Sequence, residues 1–251
     1  MLKISSITIL LCCVLKVQAQ QTKQIGKATY EVASGSNHPI IDCWFSTQEY
    51  TYQYRKIRDA RQLPQFKNKT YSSIEDSLKD VRIIEKFNEG LKSMPEQFWY
   101  GQLGDNVVVY SSFDNENKQY CIRDTIKWVT WELSSDTTTI LGQTCQKAIG
   151  KLNGIAYTAW FSTAIPVSTA PLQFRGLPGL LMKVTNEMNK VTVSLIDLEW
   201  PANNQKIVMA PCTAFPFISK QELQAIREKQ NADAYKLAES IKKNGTKSGN
   251  Q

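Results

Sequence analysis

The chain has 251 residues, 42% of them hydrophobic and 21% charged, with 30 Lys and Arg against 23 Asp and Glu, one His and six Cys. That balance excludes a collagen-like, low-complexity or wholly disordered chain and suits one domain with appendages. The formal charge of +7 is scattered along the sequence. Tyr50, Tyr52 and Tyr54 beside Arg55 imitate a basic aromatic stripe, but alternating Tyr is also the pattern of a half-buried strand, and no nucleic acid partner is expected.

At the N-terminus Lys3 precedes an apolar run, Ile4 to Val14, and Val17-Gln18-Ala19 offers small residues for cleavage, the pattern of a secretory leader. Residues 1–19 are expected to be a signal peptide. Its loss removes Lys3 and Lys16 and no acid, leaving an exported, soluble chain of charge +5 that begins at Gln20. Cys12 and Cys13 lie inside the apolar run and are not read as a lipid anchor. Cys43, Cys121, Cys145 and Cys212 remain, an even number that favours two disulfides in an oxidising compartment, with all three pairings open. A free Cys43 or Cys212 is the alternative. No Cys-x-x-Cys pair suggests a redox or zinc motif.

Residues 20–218 read as a single β-rich domain. Ala28, Tyr30 and Val32 alternate with polar neighbours, as does the stretch from Trp44 to Tyr54, predicting two early strands. From Ser73 to Leu91 the period changes: Ile74, Leu78, Val81, Ile84, Phe87 and Leu91 fall at steps of three and four, an amphipathic helix over 73–91 with Ser73 and Asp76 as its capping box. Gly101 and Gly104 predict a loop. β-Branched and aromatic runs over Val107–Phe113, Gln119–Ile122 and Ile126–Leu133 predict strands, with Asp114-Asn115-Glu116-Asn117 as a turn. Asn153-Gly154 accommodates the positive φ angles of a type I′ turn and pairs Thr144–Leu152 with Ile155–Ser162. A second hairpin joins Leu180–Glu187 to Val191–Glu199 across Met188-Asn189. Ser219-Lys220-Gln221-Glu222 is a full capping box, opening a C-terminal helix over 219–243 with a thin apolar stripe. It either packs weakly or projects, and a disordered tail follows within 219–251. The fold class is mainly antiparallel β, a curved sheet closing towards a half-open barrel, with the two helices beside it.

Between the two hairpins lies STAPLQFRGLPGLLMKVT, Ser168 to Thr185. Leu177-Pro178-Gly179-Leu180 fits a type II turn, with Pro setting φ and Gly accepting positive φ. Gly176 adds a second position without a Cβ. The segment from Ala164 to Gly179 is therefore a stiff loop that either caps one end of the core or grips a ligand through Phe174, Arg175 and the backbone of Gly176, Leu177, Pro178 and Gly179.

Cys145, Lys147-Ala148, Ala159-Trp160-Phe161, Ile165-Pro166 and the run from Phe174 to Leu181 together resemble the GLPGLI family of exported proteins of Gram-negative bacteria. Trp131 and Ile140-Leu141-Gly142 look similar too, and the likeness covers roughly residues 120–200. Leu181 replaces the family's final isoleucine, and Ala170 stands where the family usually has Gly. The resemblance implies a protein of the periplasm or outer membrane, often associated with outer-membrane receptor systems, and no agreed catalytic residue.

Reactive constellations are sparse. His38 is the sole histidine, which leaves Ser-His and Cys-His triads and the two-histidine zinc motif without a framework. Asp197 and Glu199 share one face of a strand, with Ile196 and Leu198 on the other, and could form an acid–base pair or simply a solvated face. The reading is a non-catalytic binding or assembly module with no cofactor and no metal. Its candidate ligand is an apolar molecule or peptide lying on Trp44, Tyr157, Trp160 and Phe161, and its candidate partner is an outer-membrane receptor or other envelope protein. The alternatives are a carboxylate-dependent hydrolase and a structural protein that docks through its C-terminal helix.

Overall fold

A computed structural model describes residues 24–247 apart from 36–37, 57–58, 60, 62–65, 67–68, 94, 187, 189–190, 203–206 and 208–211. The expected leader over 1–19 lies outside the described residues. Eleven antiparallel strands form one open sheet: β1 (Gly26–Ser34), β2 (Ile40–Phe45), β3 (Glu49–Tyr54), β4 (Phe98–Gln102), β5 (Val107–Phe113), β6 (Gln119–Thr125), β7 (Thr130–Ile140), β8 (Gln143–Leu152), β9 (Ile155–Ser162), β10 (Leu180–Asn186) and β11 (Val191–Glu199). Their order, β6-β5-β4-β3-β2-β1-β11-β10-β9-β8-β7, is that of two meanders joined where β1 pairs with β11. Helix α1 (Ile74–Ser93) interrupts the first meander and α2 (Lys220–Lys247) follows the second.

The two predicted hairpins form with the expected partners. Asn153 and Gly154 have φ of 51° and 81°. Other elements differ for identifiable reasons. The expected strand over 44–54 is two strands, because the Ser46 hydroxyl accepts hydrogen bonds from the backbone N–H groups of Gln48 and Glu49 and turns the chain. The predicted loop at Gly101 is β4. Its missing Cβ leaves room for the ring of Tyr50 on the neighbouring strand. β7 begins and ends later than its apolar run, extending through Ser134–Thr139 as a polar edge strand and turning into β8 at Leu141 and Gly142, both at positive φ.

One face of the sheet carries the main core. Tyr30, Cys43, Tyr50 and Tyr52 from the first meander pack in a single cluster with Ala148, Phe161 and Val184 from the second. Tyr30 sends its hydroxyl to the carbonyl of Leu181, 2.9 Å away, beside a register shift at Met182. α1 is amphipathic as expected, but its stripe is largely uncovered: Ile84 is buried, whereas Ile74, Leu78, Val81 and Phe87 are exposed. Phe66 meets Phe87 edge-on, and Lys69 pairs with Asp80, so the helix is held by the segment before it.

The far edge of the first meander is closed by covalent and hydrogen-bonded contacts. Cys121 on β6 forms a disulfide with Cys212, 91 residues on. The chain then runs along the edge of β6, with Cys121 N–H donating to Pro216 O and Ile218 N–H donating to Cys121 O. It emerges at the capping box of α2, where Ser219 and Glu222 bond reciprocally. Leu223 packs on Tyr120 and Ile122, and Arg227 donates to Ser112 Oγ and to the carbonyl of Phe113. The first turns of α2 are thus docked, while Tyr235, Leu237 and Ile241 are exposed. The helix continues past Asn244 to Lys247, farther than expected.

Only one disulfide forms among the four cysteines, which corrects the expectation of two. Cys43 and Cys145 are buried free thiols, and Cys212 is bonded. Cys43 and Cys145 sit on β2 and β8, strands separated by four others in the sheet, and each is surrounded by core side chains. A bridge that closes so long a segment stabilises mainly by restricting the unfolded chain. Replacing Cys121 and Cys212 together by Ser is expected to lower the unfolding free energy by about 4 kcal/mol in urea denaturation. It should also make the start of α2 the first site of limited proteolysis. An unchanged midpoint and digestion pattern would contradict the anchoring role.

Candidate functional site

The loop over 163–179 lies on the core face of the sheet, packed inward. Ile165, Val167, Ala170, Phe174 and Leu177 are buried, and the loop is closed on itself by Leu180 N–H donating to Ile165 O at 3.0 Å. Its outward ties are polar: Gln173 O accepts from Val129 N–H, and Arg175 O accepts from Trp131 Nε1 at 3.1 Å. Within the loop Gly176 N–H donates to Ser168 Oγ at 3.0 Å.

Arg175 is 5% exposed. Its guanidinium donates to Gln102 O at 2.8 Å, to Asp105 O and to Asn106 Oδ1 at 3.3 Å, and lies 3.8 Å from the ring centroid of Trp128. A planar, weakly hydrated cation suits this mixture of carbonyls and an aromatic face, which a lysine could not fill. Burial pulls its pKa below the usual guanidinium value. Phe174 meets Tyr157 edge-on at 5.2 Å. Both side chains read as contact residues in the sequence are therefore internal, and they fasten the loop to the turn between β4 and β5 and to β9.

Gly176 carries the positive φ, 102°, whereas Gly179 does not, which corrects the expected type II turn. Gly179 is needed for another reason: a Cβ there would collide with the backbone carbonyl of Ser162. Ala170 is buried and has no positive φ. Pro178 and Leu177 complete the bend, with Leu177 in the core.

The expected aromatic lining divides between two faces. Tyr157 and Phe161 face the loop and core, whereas Trp44 stands opposite Lys27 and Thr51 on the other side; Trp160, paired in register with Lys147 and Lys183, still packs against the core cluster. Thr169 of the loop lies beside Cys43, whose thiol burial pushes up to about 12. Asp197 and Glu199 lie on the opposite face from the loop, Glu199 at 3.6 Å from Lys27. Ile196 does not share the face of Leu198 as expected: a register shift leaves it without a partner on β1, and it is exposed. His38 is exposed beside Glu31. Among the described residues no group of three or more His, Cys, Asp and Glu is placed to hold a metal ion.

What the loop and α2 leave between them on the core face is a row of rings that the periodicity had shown only in part. Tyr52 and Trp99 are direct cross-strand partners with centroids 5.0 Å apart, Trp99 and Tyr110 are partners at 6.1 Å, and Tyr54 meets Trp99 edge-on at 5.5 Å. Tyr52 is buried under Leu172, but Tyr54, Trp99 and Tyr110 are half-buried. Trp99 stands just before the loop expected at Gly101 and Gly104, so its alternation with Gly101 was not legible as a strand face.

This arrangement is that of a β-rich domain whose sheet is sealed by its own loop over one half and by a docked helix over the other. Residues 54–212 match the family described as N-glycanase peptide, N-terminal domain, and the chain belongs to that family. Among solved structures, PNGF-II in a C2 crystal form matches with a TM-score of 0.53 at 15% identity, over 82% of this chain and 33% of that one. The same protein in a P21 form matches with a TM-score of 0.49, again at 15% identity and over the same shares. The chain thus spans about a third of the solved chains it matches, and the likeness is one of fold. No curated protein matches the sequence.

Arg175→Lys is expected to lower stability by about 2–3 kcal/mol in thermal or urea unfolding, because carbonyls built around a fork are left unpaired. Gly179→Ala should cost about 1–3 kcal/mol through the collision with Ser162. In the folded parent, Cys43 should resist iodoacetamide at pH 8, as mass spectrometry of the alkylated protein would show. Rapid labelling would mean that the loop does not cover it.

Proposed function

We propose that this chain is an exported, non-catalytic binding or assembly module of the cell envelope, directed at glycan-bearing material. The observation that carries the reading is the match of residues 54–212 to the N-terminal domain of an N-glycanase. The leader-like N-terminus and the GLPGLI-like segment support a place in the periplasm or at the outer membrane, with an envelope receptor or companion protein as partner. The loop around Arg175 serves this module as a fixed wall; its side chains are engaged inside the molecule. A carboxylate-dependent hydrolase remains the alternative, through Asp197 and Glu199, but they lie on the face away from the sealed core.

The test uses an N-glycosylated peptide immobilised on resin, with the unglycosylated peptide as control. The protein should be retained by the glycosylated form alone, and mass spectrometry should find the peptide–sugar linkage intact. Cleavage that disappears in Asp197→Asn or Glu199→Gln would replace the binding reading with the hydrolase. Equal retention on both resins would remove the glycan from it.

A further inference from the structure

The rings of Tyr54, Trp99 and Tyr110 pack against the core clusters yet stay half-buried. Tyr50 and Tyr52 continue the same ladder but are covered, Tyr50 by the Arg175 guanidinium 5.9 Å from its centroid and Tyr52 by the loop at Leu172. At the other end Tyr120 and Ile122 are covered by Leu223 of α2. Between these two seals the three rings keep part of their surface free, on three adjacent strands whose register fixes their spacing. Strand-borne rings lose little freedom when a ligand arrives, which favours binding.

We propose that Tyr54, Trp99 and Tyr110 form a carbohydrate platform, with the indole of Trp99 stacking on the apolar face of one sugar ring and the two flanking phenols contacting its hydroxyls or the next residue. The glycan class rests on the reading in the preceding section; the site rests on the geometry. A sugar presents C–H groups on one face and hydroxyls around its rim. The negative face of an aromatic ring attracts the first, and phenol O–H groups can donate to or accept from the second. Burial raises the pKa of both Tyr54 and Tyr110, so each keeps its proton at neutral pH. Asp124, on the same face of β6 two residues from Ile122, adds a planar acceptor, held by Lys220 at 3.9 Å. An aliphatic ligand would need enclosing aliphatic side chains, but Ile122 and Leu223, the ones nearest Tyr110 here, are already consumed in packing α2.

The experiment is a titration of the full chain with the free oligosaccharide released from the glycopeptide used above, read by calorimetry and by the amide and indole N–H signals of a nitrogen-labelled sample. The Trp99 indole signal is assigned by its absence in Trp99→Phe. It should shift on titration, affinity should fall about tenfold in Trp99→Ala or Tyr110→Ala, and Tyr235→Ala on the exposed part of α2 should bind like the parent. If an alanine variant loses its fold, the Trp99 signal of the parent and the weaker binding of Trp99→Phe decide the matter. A parent that binds the sugar without moving the Trp99 signal, or variants that bind within twofold of it, would place the site elsewhere and leave the glycan reading standing. A parent that binds neither the free sugar nor the glycopeptide would overturn the reading as well.

Discussion

A buried guanidinium sets the terms for the rest of this fold. Arg175 has been taken out of water, and a cation in that position must be surrounded by oxygen atoms and aromatic surface or the loop that carries it will not stay down. The carbonyls of Gln102 and Asp105, the carboxamide of Asn106 and the face of Trp128 come from the turn between β4 and β5 and from the connection into β7. One side chain therefore ties the second meander's longest loop to the first meander. These meanders otherwise share only the β1–β11 ladder as a direct strand pairing.

That tie explains why the two ends of the sheet's core face are treated differently. Over β1–β3 the covering is a loop, whose apolar residues fill the space that a half-open barrel would leave for a ligand. Over β5 and β6 it is a helix, held by Leu223 and Arg227 and fixed covalently through Cys121 and Cys212. The aromatic row lies in the interval between them. Its existence depends on strand register: Trp99 faces Tyr52 on one side and Tyr110 on the other, and a shift of one residue would turn it to the opposite face.

Where a single local rule dominated, the sequence was readable. Asn153-Gly154 could form little else than a tight hairpin, and Ser219 with Glu222 announced a helix start. Elements that depend on a partner were not. β4 is short and contains Gly101, whose value lies in the ring of Tyr50 that it admits. β7 is polar because it is an edge strand, so its Ser and Thr residues resembled a loop. Cysteine number suggested pairing, but distance across the sheet decided it. At the loop the glycines were correctly taken as backbone constraints, yet their tasks were exchanged: Gly176 supplies the unusual φ and Gly179 the close approach. Phe174 and Arg175 looked outward because a loop surrounded by Pro and Gly gives no periodicity from which to read direction.

The two borders of the sheet are chemically unequal. On β6 the segment after Cys212 has taken the main-chain groups around Cys121, so that margin offers little to another strand. β7, at the opposite margin, is interrupted in register between Leu133 and Thr137 and carries Glu132 and Asp136, features that discourage casual pairing without masking the backbone. Indefinite head-to-tail stacking of copies requires two receptive borders, and this molecule has at most one. Growth by strand addition would therefore stop at a pair of molecules joined through β7.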